Sequence, residues 1–389
     1  MNLRYLTAGE SHGPALTAIL DGIPAGLSLD KGIINHELAR RQKGFGSGGR
    51  MKIEKDSIQL LGGVMAGETT GGPIALLVEN SDHVKLKGKL IDPMTAPRPG
   101  HADLTGAVKY GYKDLRPSLE RASARETTMR VAIGAVCKHF LSQFGIRIGG
   151  YVRSIGDIEA DLTGDNHIAF FEAAEQNDVR CPDATAAKKI HERIKNCIVS
   201  NDTLGGVIEV FAINPPVGLG SFSQMDRRLD ACLAKAIMSI PAIKGLEIGC
   251  ALNNTKQVGT KTQDPILLDG GWIGRPTNRA GGIEGGISNG LPIIIRAAMK
   301  PIATTLKPQR TVDLANGEET QTKYERSDYC PVPRAVPILE AMVAFVLADA
   351  LIEKLGGDSM AEIMPRFKTL KQARIQDLPM ENIPIKWWD

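Results

Sequence analysis

The chain has 389 residues, of which 42% are hydrophobic and 5% aromatic, and its 47 Lys and Arg against 44 Asp and Glu give a formal net charge of +3. This composition excludes a disordered, collagen-like or coiled-coil chain and is sufficient for a large core. The charge is too small to attract polyanions over the whole surface, and the aromatic content argues against a nucleic-acid stacking platform.

The cysteines are spread along the chain without a C-x-x-C pair, which is typical of reduced thiols. No basic segment followed by an apolar core opens the sequence, so no signal peptide is expected. The most apolar stretch, 335–351, contains Glu340 and Asp349 and is predicted not to span a membrane. We therefore expect a cytoplasmic protein. The cysteines are Cys137, Cys181, Cys197, Cys232, Cys250 and Cys330.

Hydrophobic periodicity predicts strands and helices along most of the chain. Short β-branched and apolar runs are typical of strands, whereas apolar residues three and four apart are typical of helices. The predicted strands are 4–7, 17–20, 75–78, 207–213 and 294–298. The predicted helices are 122–144, 184–197, 226–240 and 335–355.

Two sequence patterns occur twice. Residues 62–74 and 281–293 both run from a glycine turn through a Gly-x-Pro-Ile step into an apolar strand. Upstream of each, 23–27 and 215–219 share a proline followed by glycine and leucine. Duplication of one half explains both pairs, and coincidence in a glycine-rich chain is the alternative.

The repeats predict one domain over 1–389, built from halves at about 1–148 and 203–360. Between the halves, 149–202 is richer in charge and is predicted to be an inserted surface subdomain. The tail, 366–389, ends in two tryptophans and is interpreted as a packing arm or a partner contact.

Two histidines lie in turns that contain glycine. His12 lies in G-E-S-H-G after the first predicted strand, and His101 lies in P-R-P-G-H-A-D, where Asp103 could orient its ring. A histidine on a loop can exchange protons near neutral pH. Neither has the partners of a zinc site, so no metal is expected and a proton-transfer pair is the functional interpretation. Structural histidines are the alternative.

Basic residues surround a glycine-rich segment in the first half. Arg40, Arg41, Lys43 and Arg50 flank 44–49. We interpret this segment as a phosphate-binding lid, because arginine forms strong charge-assisted hydrogen bonds with phosphate. A solvated surface loop is one alternative, and an Arg-Gly contact with nucleic acid is another.

Arg121 and Arg125 stand four residues apart at the predicted start of a helix. Side chains at this spacing share a face, and a helix N-terminus favours an anion. An anion site is therefore predicted, with salt bridges to Glu120 and Glu126 as the alternative.

Two later segments carry polar groups of interest. The segment 299–307 combines lysines, a rigid proline turn and hydroxyls, which suits a phosphate cradle. Arg326 and Asp328 would project to the same side of an extended stretch, where the arginine keeps the carboxylate ionised for an electrostatic or base role. A structural ion pair is the alternative.

Taken together and in this order, the motifs resemble those of chorismate synthases. They are G-E-S-H-G, D-G-I-P-A-G, P-R-P-G-H-A-D, R-A-S-A-R-E-T, G-G-I-E-G-G-I-S-N-G, M-K-P-I and R-S-D. The similarity runs from residue 1 to about 355 and is weaker over 149–202. It implies an α+β fold, a β-α-β sandwich with helices packed between antiparallel sheets from two pseudo-symmetric halves, assembled as a homotetramer.

The resemblance also implies an activity. Chorismate synthases are lyases that convert 5-enolpyruvylshikimate 3-phosphate to chorismate by anti-1,4-elimination of phosphate, and they need reduced FMN although no net redox change occurs. By resemblance, His12 would protonate the leaving phosphate, His101 would protonate the flavin, and Asp328 would assist the flavin N5 as a base.

Binding residues are implied in the same way. NADPH would act only as a reductant, and an external flavin reductase is expected, because no G-x-G-x-x-G unit follows a strand. The implied flavin contacts are Arg121, Ala122, Ser123, Pro241, Ala242, Gly285, Lys300, Pro301, Ile302, Ala303, Thr304 and Arg326. The implied substrate or NADP contacts are Arg41, Ser47, Arg50, Arg98 and Arg125.

Two positions depart from the family pattern. Pro241 stands where the family often has Asn, so only a backbone contact is expected there. Ser47 stands where the family usually has Arg, which puts the contact with a pyridine nucleotide in doubt. A catalytically impaired flavin-binding module is therefore an alternative function. An RNA-binding protein is a third interpretation, although no nucleic-acid or membrane partner is expected.

Overall fold

The computed structural model describes residues 3–48, 55–164, 166–325 and 327–388. Every strand and helix predicted from periodicity is present, with some changes in its bounds. The strands are β1 (Arg4–Ala8), β2 (Ala15–Asp21), β3 (Gln59–Gly62), β4 (Val64–Met65), β5 (Glu68–Thr69), β6 (Ile74–Glu79), β7 (Arg147–Ile155), β8 (Ile158–Glu159), β9 (Gly206–Ile213), β10 (Ile243–Ile248), β11 (Leu267–Asp269), β12 (Trp272–Gly274), β13 (Ile283–Glu284), β14 (Ile287–Ser288), β15 (Ile293–Met299), β16 (Arg310–Asp313) and β17 (Glu318–Gln321). The helices are α1 (Lys31–Gln42), α2 (His83–Leu86), α3 (Asp103–Tyr110), α4 (Arg116–Arg121), α5 (Thr127–Ser142), α6 (His167–Glu175), α7 (Ala184–Val199), α8 (Leu229–Met238), α9 (Ala251–Asn254), α10 (Gly259–Thr262), α11 (Val332–Leu355) and α12 (Met360–Lys368).

Two antiparallel sheets enclose a layer of helices. One sheet has the strand order β1-β2-β6-β3, and the other has the order β10-β15-β9-β7-β8. Helix α5 packs against α1 and against strands of the first sheet, whereas α11 packs against α5, α8, β7 and β9. The helix layer therefore covers an apolar face of each sheet, which confirms the predicted α+β sandwich.

Helix α11 forms the centre of the core. It begins at Val332, earlier than the predicted 335, because a proline at position 333 fits the first turn of a helix. Pro337 cannot donate to the carbonyl of Pro333, and Arg180 Nη1 donates to that oxygen instead at 2.6 Å. By length and composition alone this helix could cross a membrane, but 89% of its most apolar window is buried inside the protein.

The repeated sequence patterns adopt the same hydrogen-bonded arrangement. The Thr69 hydroxyl donates to Pro24 O at 2.6 Å, and the Ser288 hydroxyl donates to Pro216 O at the same distance. Each hydroxyl also accepts a hydrogen bond from the backbone N–H of the leucine three residues after that proline. The bond to Leu27 is 2.9 Å long and the bond to Leu219 is 2.8 Å long. The strand orders β1-β2-β6-β3 and β7-β9-β15-β10 correspond as well. Duplication stays a prediction, which these matches support.

The segment predicted as an inserted surface subdomain begins inside the second sheet. Residues 149–155 belong to β7, which pairs with β9, and Tyr151 and Val152 are fully buried. The prediction was wrong for these residues, because their glycines and polar neighbours obscure a buried strand. The division into halves stays a prediction, and a match of β7 with β1 would start the second half near 147 instead of 203.

Helix α5 begins later than predicted. Ser123 is extended, and its hydroxyl accepts from Arg125 N at 3.4 Å, so that Ala124–Glu126 forms a short 3-10 turn before Thr127. A serine whose side chain bonds the following backbone favours a helix cap over a helix interior. Arg121 therefore ends α4 and does not share a helical face with Arg125, which corrects the prediction.

Candidate active site

A cavity of about 870 Å³ opens where turns from both sheets meet the N-terminal ends of α5 and α11. The first half supplies the turn after β1 and the turn before α3, and the second half supplies the segment after β15 and the chain before α11. The partial positive charge of two helix N-termini favours a bound anion. The predicted site residues that line this cavity are His12, Arg41, Arg98, His101, Ala122, Ser123, Arg125, Pro241, Ala242, Lys300, Ile302, Ala303, Thr304 and Asp328.

His12 lies in the turn between β1 and β2, where one carboxylate holds both its ring and its backbone. Its Nδ1 is 2.8 Å from Glu120 Oε1, and its backbone N–H donates to Glu120 Oε2 at 2.6 Å. Glu120 belongs to α4 and was not predicted in this role, because the sequence suggested a salt bridge to the neighbouring arginines. Instead, Arg121 binds Thr7 and Arg125 binds Asp56, while Glu126 pairs with Arg130.

A buried carboxylate also holds His101. Its Nδ1 is 2.6 Å from Asp103 Oδ1, and Asp103 Oδ2 accepts from Arg98 Nε at 2.8 Å. Burial alone would raise the pKa of Asp103, but the hydrogen bonds from His101 and Arg98 and their charges hold it well below its usual range. The carboxylate therefore stays ionised, and the expected contact with the ring is present.

The segment after β15 contacts the turn that carries His101. Arg98 Nη1 donates to Thr304 Oγ1 at 2.8 Å, and Lys300 Nζ donates to Gly100 O at 3.1 Å. Both bonds cross from the first half to the second. The two halves therefore build this wall of the cavity together.

Asp328 is held between a glycine and an arginine. Gly48 N donates to Asp328 Oδ1 at 2.8 Å, and Arg334 forms an ion pair with Oδ2. A Cβ on Gly48 would lie 2.3 Å from Ser327 O, so only glycine allows this approach. The predicted partner, Arg326, lies outside the described residues. Arg334 was not predicted, although a basic residue in the first turn of a long helix was a visible signal.

Two buried arginines share a buried aspartate at the cavity. Arg125 Nη1 is 2.5 Å from Asp56 Oδ1, and Arg41 Nη1 is 3.5 Å from Asp56 Oδ2. Among the described residues, Arg41 Nη1 has no hydrogen-bond partner. Burial lowers the pKa of Arg41 to about 9, and repulsion by Arg334 contributes. An anion in the cavity would supply a charge that opposes the repulsion between these guanidinium groups.

Of the described residues predicted to bind the flavin, three do not line the cavity: Arg121, Gly285 and Pro301. Arg121 turns toward β1, where Nη2 donates to Thr7 O at 2.9 Å and to its hydroxyl at 2.8 Å. Gly285 lies between the hairpin strands β13 and β14, and Pro301 lies between two residues that do line the cavity. Arg50 lies outside the described residues.

The described part of the glycine-rich segment packs against the protein and is not a free lid. Arg40 is buried and pairs with Glu340 at 2.6 Å, and Phe45 stacks on His191 with ring centroids 3.6 Å apart. Ser47 lies in a separate cavity of about 500 Å³. These contacts argue against the alternative of a solvated surface loop, because Arg40, at the end of α1, has a buried partner on α11 and Phe45 packs on His191 of α7.

Comparisons with known proteins show the family of the chain. Residues 3–352 match the family model described as chorismate synthase. The chain is 50% identical over 384 residues to a chorismate synthase from Aquifex aeolicus (strain VF5), covering 94% of this chain and 96% of that one. It is 49% identical over 383 residues to one from Pelobacter propionicus, covering 94% and 98%. A crystal structure of a chorismate synthase matches with a TM-score of 0.79 at 44% identity, covering 95% and 97%. The chain belongs to the chorismate synthase family of lyases.

Proposed function

We propose that the cavity binds 5-enolpyruvylshikimate 3-phosphate together with reduced FMN, and that the chain eliminates phosphate from this substrate in the anti-1,4 sense to give chorismate. The observation that carries the proposal is the convergence of His12, His101 and Asp328 in one cavity that is lined by buried arginines. Two proton-transfer groups, a carboxylate and a set of cations are what this elimination requires.

The substrate carries a phosphate and two carboxylates, and the cations at the cavity fit such an anion. Arg41 has an Nη1 atom without a hydrogen-bond partner among the described residues, and it lies beside Arg125 and Arg334. An anionic group in the cavity would offset the repulsion among these guanidinium groups. Arg98 adds charge, while its hydrogen bonds hold the cavity wall.

The donor set also fits FMN. Lys300 and Thr304 offer a cation and a hydroxyl, and the Ser123 hydroxyl lies 3.2 Å from that of Ser11. Ala242 has φ +68°, which an alanine rarely adopts, so the chain around Pro241 is fixed for a backbone contact. When bound, reduced FMN supplies electron density to the substrate ring and accepts a ring hydrogen at N5.

His12, His101 and Asp328 each have a separate role in the proposed proton transfers. His12 donates a proton to the leaving phosphate, and His101, oriented by Asp103, holds the proton for the flavin. Asp328 would supply a carboxylate oxygen as a base beside a bound flavin, and its position is set by Gly48 and Arg334. General acid–base groups of this kind contribute about 10²- to 10⁴-fold in rate.

We further propose a cytoplasmic homotetramer that receives its reduced flavin from an external reductase, with NADPH only as the ultimate reductant. The position of Ser47 supports activity in spite of the missing arginine, because this residue lies in the separate cavity and not at the wall of the main one.

An anaerobic assay tests the function. The protein is mixed with dithionite-reduced FMN and 5-enolpyruvylshikimate 3-phosphate, and chorismate absorbance is followed together with released phosphate. Equal amounts of both products are expected, with a rate about 10²- to 10⁴-fold lower in His101→Ala. Flavin binding without either product would instead identify the catalytically impaired binding module.

A further inference from the structure

We propose that Glu120 is a positioning residue for His12: it accepts the Nδ1 proton of the imidazolium form, so that the second ring proton, on Nε2, is the one that passes to the leaving phosphate and leaves the neutral ring protonated on Nδ1. The inference rests on the proposed function, because it concerns the same acid. It adds a residue that sequence reasoning had placed in a local salt bridge.

One carboxylate makes both contacts to His12. Glu120 Oε1 lies 2.8 Å from the ring Nδ1, and Oε2 accepts the backbone N–H of the same residue at 2.6 Å. The Glu120 side chain is only 12% exposed. The ring is therefore fixed relative to its own backbone, which removes the rotation that a histidine in a surface turn would otherwise have.

The residues around Glu120 fix the same turn. Glu120 O accepts from Ser11 N at 3.2 Å, and the next residue, Arg121, donates to Thr7 O in β1 at 2.9 Å. The end of α4 is thus hydrogen-bonded to β1 through Arg121 and to the turn after β1 through Glu120. This explains why Arg121 points away from the cavity.

An ionised carboxylate can only accept hydrogen bonds, so Nδ1 must carry the proton in the contact with Glu120. Proton transfer to a ligand then has to use Nε2. His101 has the same arrangement, with Asp103 at 2.6 Å from its Nδ1. A carboxylate that accepts the proton of one ring nitrogen is a common means by which proteins fix which nitrogen faces a ligand.

A purely structural role for Glu120 predicts different kinetics from a positioning role. Glu120→Gln keeps the size of the side chain but has one acceptor oxygen where the carboxylate has two. The amide therefore cannot accept hydrogen bonds of equal strength from the ring Nδ1 and from the backbone N–H of His12. Its amide N–H₂ can also turn toward the ring and favour the wrong tautomer. Glu120→Asp keeps the charge at a shorter reach and serves as the conservative variant.

A double-mutant cycle separates the two roles. In the anaerobic assay, kcat of Glu120→Gln is expected to fall about 10- to 100-fold with KM for the substrate changed less than about threefold, and Glu120→Asp is expected to recover part of that loss. In a His12→Ala background, Glu120→Gln is expected to change kcat less than about twofold, since Glu120 acts through the ring.

The outcomes are distinguishable. The same fold loss of kcat in both backgrounds, or a rise in KM alone, would overturn the positioning role while leaving the function intact. Absence of chorismate with the unmodified protein would overturn the proposed function itself. Glu172, on α6, forms an exposed ion pair with Arg147. Glu172→Gln removes a charge from this pair and serves as the matched control, with kcat expected to remain unchanged.

Discussion

Arg98 and Thr304 are joined by a hydrogen bond of 2.8 Å, although 206 positions separate them along the chain. Arg98 belongs to the turn before α3, and Thr304 follows β15. The same guanidinium binds Asp103, which in turn holds the ring of His101. The orientation of this histidine therefore depends on residues from both halves of the chain.

Thr304→Val is expected to lower the free energy of unfolding by about 1–3 kcal/mol, because the Nη1 atom of buried Arg98 loses its acceptor. The rate of chorismate formation should fall as well, since the turn that carries His101 loosens. Urea denaturation and the anaerobic assay measure the two effects. Thr304→Ser keeps the hydroxyl and should behave like the unmodified protein; equal losses in both variants would show that the hydroxyl is not needed.

Asp103 should make stability depend on pH in acid. Its folded pKa lies below the value of about 3.9 for an unfolded aspartate, so the unfolded chain binds more protons in this range. Its stabilisation is fully present above about pH 5 and is lost as the pH falls through the folded pKa. Compared with Asp103→Asn by urea denaturation at several pH values, the unmodified protein should lose part of its advantage as the pH falls from about 5 to about 3. A difference that stays constant would contradict the ion pair.

Arg41→Gln should separate stability from binding. The buried guanidinium is repelled by Arg334, and burial lowers its pKa, so its removal offsets the lost hydrogen bonds to Thr127 and Ala124. We expect a Tm close to that of the unmodified protein but a much smaller rise in Tm on adding 5-enolpyruvylshikimate 3-phosphate. Thermal melts with and without this ligand measure both quantities.

Arg310→Gln, at an exposed surface pair, is the control for Arg41→Gln and should keep the full rise in Tm. If Arg41→Gln also keeps it, the guanidinium does not bind the substrate.

Glu340→Gln should destabilise the fold strongly. Glu340 is fully buried and lies 2.6 Å from Arg40 and 2.8 Å from Lys138. Burial would raise its pKa, but these two cations hold the pKa below the usual range. Removing the charge leaves buried cations short of a partner, at a cost of about 3–5 kcal/mol in the free energy of unfolding.

Glu353→Gln provides the comparison for Glu340→Gln. Its partner is Arg227 at 2.7 Å on the surface, where an ion pair contributes about 0–1 kcal/mol. Urea denaturation of both variants measures the difference, and similar losses would show that the buried network adds nothing beyond a surface pair.

Periodicity predicted the strands and helices because one face of each packs against the core. It failed at residues 149–155, where a strand buried on both faces shows no alternation and contains glycines. It also placed the start of α5 too early. Ser123 interrupts the helix there through a hydrogen bond of its own side chain, which an apolar spacing does not register.

Local sequence predicted which histidines and cations would meet, but not how they are paired. Glu120 has its partner 108 positions away, whereas the sequence suggested partners next to it, and Asp56, which binds Arg125 69 positions away, was not among the predicted residues. Ion-pair partners are set by tertiary contacts, and a single sequence shows only neighbours along the chain. The family resemblance supplied the candidate positions of the site, the sequence suggested Asp103 beside His101, and the structure added Glu120 beside His12.

Helix α11 is synthesised after most of the elements that pack against it. It lies close to the end of the chain, yet it is the element against which α5, α8 and the second sheet pack. On the ribosome, the second sheet is synthesised before α11, so the face of β7 and β9 that this helix covers still lacks that partner when it emerges. Each copy therefore passes through an interval in which this uncovered face can associate with other chains, and packing of α11 ends that interval.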